Sequence, residues 1–444
     1  MSHDPSQLAE DLLELVGGRA EAEVRVWTGV SALTRFANSF VHQNVGEEGH
    51  VVSLKVAVDG RVASSTTTNI EPAALAGFTE RLLHAAEVQP VDTDWPGLTE
   101  PTEMPETHGY DERTASATPA DRAERVKEFV QAGPGLDAAG YCETVGHHMF
   151  YANSNGQRAT GSYTRATLDG IHQTGTSAGA GHATSVRLGA IDAAAVGELA
   201  ARRARDSAVA FDTKPGDYEV VLAPECVASI AIFLAAYGFN AKSHAEGQSF
   251  VELGQQQFDP SFSLVDDVFD SRAFGFGFDV EGTPRRRVGL VEDGLSRHLA
   301  HDRRTAAAAG TESTGHATPG SDVYGPSPST LFVGEGGATP DELIAGVERG
   351  LYVSTFNYCR VLDPKTMVVT GLTRNGTFMI ENGRITGPVT NLRFTQSFLA
   401  ALAPGNIAGL GGDGRWADSE FGAGIVHAPS AALRSWHFTG GIGG

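Results

Sequence analysis

Residues 218 to 299 constrain what this chain can fold into more than any other stretch. A strand-like run, Tyr218-Glu219-Val220-Val221-Leu222-Ala223, passes at Pro224 into the apolar, helix-like CVASIAIFLAAYG of residues 226 to 238. SFVELGQQQF follows at 249 to 258, SLVDD at 263 to 267 and FDVEGTPRRRVGLVEDG at 278 to 294. The apolar run around Val227 to Ala236 falls short of the roughly 18 continuous apolar residues that a membrane span needs. No membrane association is therefore predicted. With 444 residues the chain can form two or three domains with sizeable cores.

Ahead of this stretch, helix and strand signals alternate. Pro5 to about Val16 is predicted helical, with Asp4 as cap, Leu8, Leu12, Leu13 and Leu15 on an apolar face, and Gly17-Gly18 as the stop. Strands are expected at 20 to 29, at 32 to 45 and at 50 to 58, the last turning at Asp59-Gly60 into RVASSTTT. Residues 71 to 87 and 119 to 132 read as helices. The Pro- and Thr-bearing segment 90 to 118 has a turn signal at Pro96-Gly97 and no apolar period, so it reads as a connector. Extended structure returns from 140 to 188, with a turn at Asn155-Gly156, and a helix from about Ile191 to Arg205 closes the first half.

The boundary is expected near Thr213 to Asp217. Past it, Asp293-Gly294, Asn375-Gly376 and Asn382-Gly383 separate short alternating runs, interrupted by one helix, TPDELIAGVE at 339 to 348. The expected fold is therefore α+β: an N-terminal helix-and-sheet domain over residues 1 to 212, then a sheet-rich, mainly antiparallel C-terminal domain over 213 to 444.

Charge narrows the partners. Lys+Arg number 33 against 54 Asp+Glu, a formal net charge of -21. Nucleic acid is excluded as an expected partner, because phosphate binding needs clustered basic residues to displace counterions. The dense basic cluster Arg285-Arg286-Arg287 is flanked by Glu281 and Glu292. Cys142, Cys226 and Cys359 are scattered and odd in number, as in a reducing compartment. The first residues carry neither a basic n-region nor an apolar h-region, so a cytoplasmic location is expected.

Hydrolytic motifs are conspicuous by omission. A zinc peptidase needs two imidazoles on one helical face, a third ligand, and a carboxylate that takes a proton from the metal-bound water. The fifteen histidines form no HExxH and no HExxxH. His298, His301 and Asp302, with His316 downstream, read as solvated or hydrogen-bonding groups. His147-His148 point to opposite faces of a strand and make a poor ligand pair. No GxSxG elbow occurs, and Cys226 reads as a small core residue with no base evident beside it. Gly275-Phe276-Gly277-Phe278 lacks the helix and lysine of a phosphate loop.

Three separated pieces carry a family resemblance. The succession 218 to 299 resembles the C-terminal domain of the TldD/PmbA family. Thr34-Arg35-Phe36-Ala37-Asn38-Ser39-Phe40-Val41-His42-Gln43 resembles that family's TRFANNxIHQ strand, and MVVTGLTRNGTFMIENGRITGPVTNLRF at 367 to 394 is similar to its IENGxIxxPV strand pair. TldD-type members carry HExxxH on the helix that here reads Ala231-Ile232-Phe233-Leu234-Ala235-Ala236, and a ligand cysteine in the late glycine-rich segment that here reads GLGGDGRWADSEFGAG at 409 to 424. Both halves of the zinc site are missing together, which resembles the PmbA branch, also called TldE.

The resemblance implies a metal-free, non-catalytic subunit of a peptidase complex that trims peptides or unfolded proteins. Its partner would be a TldD-like subunit carrying the zinc, and this chain itself is expected to hold no metal or other cofactor. VDD at 265 to 267 and Asp279-Val280-Glu281-Gly282-Thr283-Pro284 look like structural signatures of that core, which favours turn or register roles for Asp266, Asp267 and Glu281. Ser249, Phe250, Gln255 and Gln256 follow the former ligand helix where family members line an inner cavity, and are the candidate peptide contacts. Two alternatives stay open: a self-sufficient hydrolase or transferase reusing the cavity through His298, His301, Cys226 or the acidic pair, and a non-enzymatic peptide-binding homodimer.

Overall fold

The computed structural model describes residues 4–420 and 422–441. Helix α1, Pro5–Val16, forms where its caps predict: the Asp4 side chain accepts from the Ser6 N–H, and Gly17 at φ 61 closes the last turn. Strands β1 (Glu21–Ala37) and β2 (Phe40–Val58) are longer than the sequence pattern suggests. Each runs straight through glycines that the sequence reading takes as breaks. Gly29 pairs with Gly49 on one side and His147 on the other. A Cβ at Gly29 would lie 2.4 Å from His147 Cδ2 and 2.6 Å from the Gly146 carbonyl oxygen, so this glycine serves a close approach and not a turn. The turn falls instead at Asn38-Ser39, inside the expected strand 32 to 45, with φ of 49 and 65. Consecutive left-handed residues are what a two-residue hairpin of matching twist requires.

Strands β3 (Arg61–Thr67), β4 (Asp137–Asn153), β5 (Arg158–Gln173) and β6 (Ala178–Ser185) complete an antiparallel sheet in the order β3-β2-β1-β4-β5-β6. One face is covered by α1, α2 (Pro72–Glu87), α4 (Pro119–Gln131) and α5 (Ala193–Asp206), with the single turn α3 (Glu112–Ala115) near β4. Val24, Val26, Val52 and Leu54 pack beneath α1 and α2, while Phe36, Cys142 and Leu168 pack beneath α4 and α5. Because side chains alternate along a strand, Trp27, Met149 and Tyr151 emerge on the other face and meet Phe276 and Phe278 of the C-terminal half.

That half begins with β7 (Gly216–Leu222), which leads into α6 (Pro224–Gly238). Strands β8 (Leu264–Asp266), β9 (Val288–Glu292), β10 (Leu295–Ser296), β11 (Leu331–Val333), β17 (Arg415–Ser419) and β18 (Gly422–Ala428) form one sheet, ordered β10-β9-β8-β11-β18-β17. Strands β12 (Arg349–Asp363), β13 (Val368–Glu381), β14 (Arg384–Pro388), β15 (Leu392–Ser397), β16 (Ile407–Leu410) and β19 (Ala431–Gly441) join β7 in the other. Its order β12-β7-β19-β15-β13 returns on itself, since β12 and β13 also pair. Helix α6 lies between the two sheets, which makes it the centre of the largest core.

The α+β class holds, with pairing mainly antiparallel and, among the named strands of the described residues, two parallel pairs, β7 with β12 and β11 with β18. Asn375-Gly376 is not a turn: it lies within β13, where Asn375 and Gly376 have φ of 57 and 129 and the pairing with β12 skips between Arg374 and Thr377. Left-handed residues serve a bulge as well as a hairpin. The expected helix at 339 to 348 is shorter, Pro340–Ala345, with a capping box between Thr339 and Glu342. Among the described residues no helix is long and apolar enough to cross a membrane.

The connector 90 to 118 has no helix or strand until α3, yet it ties the halves together. Asp92 pairs with Arg304, the Arg303 guanidinium donates to the carbonyls of Pro96, Gly97 and Leu98, and the Thr99 hydroxyl donates to the Glu281 carbonyl at 2.7 Å.

Candidate functional site at the junction of the two halves

On α6 the six residues from Ala231 to Ala236 offer only hydrocarbon, and Ala231, Leu234 and Ala235 have no solvent exposure at all. Phe233 stacks on Tyr237 and meets Phe398 edge-on. These side chains do not fit a zinc ion: the six offer it no donor atom, and among the described residues the space around them is filled by packing. The late glycine segment is likewise held structurally: Asp413 accepts from the Ser430 N–H at 2.8 Å and its hydroxyl at 2.7 Å, and the Gly411 carbonyl accepts from Gly336.

The residues singled out in the sequence are placed individually. The Ser249 hydroxyl donates to the Gly238 carbonyl at 2.7 Å, closing the end of α6. Phe250 is buried against Phe239 and Phe258, and a Cβ at Gly238 would lie 2.3 Å from its ring. Gln256 donates to the carbonyls of Phe258 and Asp293, while Gln255 is exposed. Cys226 is fully buried, its thiol directed at the Val353 carbonyl and pushed well up by burial. His298 lies on the surface, and Asp302 caps the short helix Arg303–Ala309. Burial lowers the pKa of His301. His147 hydrogen-bonds Tyr163 at 3.0 Å and Ser31 at 3.2 Å on one face of β4, while His148 packs by Tyr110 on the other.

Acidic signature residues are structural anchors. Asp266 has no exposure and accepts from Arg285, from the N–H groups of Ser329 and Thr330, and faces His316 Nε2 at 3.1 Å. Burial works against its ionisation, yet Arg285 and His316 hold the carboxyl well below the usual range. Asp267 caps the next turn through the Phe269 N–H. Glu281 accepts from the Arg303 N–H at 3.0 Å, and burial followed by the Asp279 charge pushes it up to about 8. A cavity of about 290 Å³ opens beside these anchors, lined by Trp27, Tyr163, Phe274, Phe276, Arg285 and His316.

A second group escapes sequence reading altogether. Tyr141, Asp169 and His182 form a row across β4, β5 and β6, with Asp169 directly opposite His182. Strand β17 packs on β6 and brings in Asp418, at a bulge in its pairing with β18. One ligand atom from each of Asp169, His182 and Asp418 lies within 4.8 Å of the other two. Burial, then the Asp418 and Glu225 charges, pushes Asp169 up to about 7. Burial likewise raises Asp418 to about 6 and lowers His182 to about 4. Nearby Glu225, in the first turn of α6, has two cationic partners: Arg415 at 2.8 Å and Arg203 at 4.0 Å. Burial opposes its charge, but Arg415 and Arg203 keep its pKa at about 2. Three residues on three strands leave no spacing motif. The one available hint was an aspartate in the middle of a strand, Thr167-Leu168-Asp169-Gly170.

Comparison with known proteins follows the same lines. The family model of the PmbA/TldA metallopeptidase C-terminal domain matches residues 215–440. A metalloprotease of Methanothermobacter thermautotrophicus is 25% identical over 206 residues, 45% of this chain and 44% of that protein. A metalloprotease TldD homolog of Buchnera aphidicola is 23% identical over 199 residues, 44% of this chain and 41% of that one. These alignments thus span less than half the length of either relative. Over the whole length, TldE from Thermococcus kodakarensis superimposes with a TM-score of 0.87 at 16% identity, covering 98% of this chain and 99% of that one. A Bacteroides thetaiotaomicron protein described as a candidate modulator of DNA gyrase gives 0.85 at 20% identity, covering 99% and 100%. At such identities the superpositions establish the fold.

Proposed function

Because the chain belongs to the PmbA/TldD metallopeptidase family, we propose that it is a TldE-like subunit that works beside a zinc-bearing TldD-like partner in trimming peptides or unfolded proteins in the cytoplasm. The observation that carries this reading is α6 itself. Where a metallopeptidase would present two imidazoles and a carboxylate, Ala231 to Ala236 are packing residues, and the late segment 409 to 424 contains no cysteine. Water activation by zinc requires that donor set. The chain contributes shape: its N-terminal sheet and the loops 274 to 285 and 315 to 330 line the open aromatic cavity at the junction. Ser249, Phe250, Gln255 and Gln256 remain our proposed peptide-side elements, acting through the loop they hold rather than through reactive groups.

The self-sufficient hydrolase is less well supported, since Cys226 is walled in and its thiol pKa is raised, while His298 stands on the surface. The test is peptide hydrolysis by the purified chain, by a TldD-like protein, and by their mixture. Cleavage should need the TldD-like protein and change in rate or substrate range when this chain is added. Turnover of peptide by this chain alone would overturn the proposal, and co-elution as a homodimer that ignores the partner would favour the peptide-binding homodimer.

A further inference from the structure

We propose that Asp169, His182 and Asp418 bind one first-row divalent transition cation, clasping the N-terminal sheet to β17. The proposal does not rest on the peptidase reading, and it revises the expectation of a chain without any metal while leaving α6 without zinc.

Geometry supplies the first argument. Ligand atoms within 4.8 Å of one another surround a point that all three can reach with bonds of about 2.1 Å after side-chain shifts of under about 1 Å. His182 is only 6% exposed, and its Nε2 lies 2.9 Å from the Thr184 hydroxyl, which meets Thr167 at 3.0 Å. Its Nδ1 is buried with no hydrogen-bond partner among the described residues. In the tautomer whose Nε2–H donates to the Thr184 hydroxyl, Nδ1 carries a free lone pair held in a defined direction, as in metal-ligating histidines. A buried nitrogen left without a partner is costly unless something occupies it.

Charge supplies the second. Two carboxylates face each other here, and neither forms an ion pair among the described residues. The surrounding cations are committed elsewhere: Arg165 to Glu143 at 2.6 Å, and Arg415 and Arg203 to Glu225. Glu225 offsets much of the repulsion that Arg415 would exert on a bound cation. Two oxygens and one imidazole nitrogen suit Zn²⁺ or Mn²⁺; Ca²⁺ prefers six to eight oxygens, and soft Cu(I) prefers sulfur.

The test uses the full chain stripped with chelator, then titrated with Zn²⁺ or Mn²⁺ by calorimetry, with Mn²⁺ also followed by electron paramagnetic resonance. One equivalent should bind with a Kd in the micromolar range or tighter, and the thermal midpoint should rise with cation. Asp418→Asn and Asp169→Asn should each weaken binding at least tenfold, and His298→Ala should leave it unchanged. Circular dichroism and the thermal midpoint of each variant without cation identify any that fail to fold. Absence of saturable binding, or binding that a folded Asp418→Asn chain retains in full, overturns the site.

Discussion

Glu225 in the first turn of α6 accepts a hydrogen bond from Arg415 of β17 at 2.8 Å, and the same carboxylate faces Arg203 of α5 across the junction. Glu225 and Arg203 are each only 5% exposed. Removing one member of a buried ion pair leaves the other charge without compensation, at a cost of about 3–5 kcal/mol. Glu225→Ala should therefore lower the urea midpoint by an amount corresponding to about 3 kcal/mol. A loss below about 1 kcal/mol would mean that Arg203 finds water or another acceptor.

Restoring the zinc motif on α6 should not restore a zinc site. The triple change Ala231→His, Ile232→Glu, Ala236→His inserts polar groups where Ala231 has no exposure and Ile232 has 4%. Overpacking and unpaired polar burial each cost about 1–3 kcal/mol. The expected result is an unstable or insoluble chain with no added equivalent of zinc by elemental analysis. A folded protein that gains an equivalent would show that the core around α6 is more adaptable than its packing indicates.

Stability should fall as pH rises through neutrality, because of Glu281. Its folded pKa of about 8 stands above the ordinary 4.5, first through burial and then through Asp279, with Glu23 adding and Lys55 opposing. The folded chain thus holds a proton that the unfolded chain releases. The contribution is complete below about pH 4.5 and is lost as pH climbs to about 8. Glu281 alone should make the stability read from urea midpoints about 3 kcal/mol lower at pH 8.5 than at pH 5.5. Glu281→Gln should reduce that slope, the remainder belonging to Asp169 and Asp418, and an unchanged slope in the variant counts against the assignment.

Gly29→Ala should destabilise by crowding His147, which packs against Trp27 and Tyr163. Its new methyl would meet His147 Cδ2 at 2.4 Å and the Gly146 carbonyl oxygen at 2.6 Å. Backbone cannot move aside as a flexible side chain can, so a cost of about 2 kcal/mol is expected. Thermal unfolding of the variant measures it, with Gly46→Ala as control, since nothing lies within 4 Å of a Cβ there.

Local signals were legible wherever the chain's own neighbours decide the structure. Asp4 and Gly17 bracket α1, and Asp59-Gly60, Asn155-Gly156, Asp293-Gly294 and Asn382-Gly383 all stand at strand reversals. Reading failed where a glycine or asparagine answers to a distant partner. Gly29 is small because β4 crosses it, and Asn375 is left-handed because β13 bulges against β12. The missing zinc ligands were visible as plain residue identities. Asp169, His182 and Asp418 were not, since two strands of one sheet and a third from the other half bring them together only after folding.

The lacing of residues 92 to 109 onto the opposite half has a consequence for how the polypeptide can be divided. Arg303 and Arg304 take their acceptors from Asp92 and from Pro96 to Leu98, and a Cβ at Gly277 would lie 2.4 Å from the Pro105 carbonyl. The stretch matched by the family model starts at residue 215 and includes none of those acceptors. Severed there, the remainder would bare Phe276 and Phe278 and strand two guanidinium groups, so it is better regarded as an evolutionary unit than as a self-standing fragment.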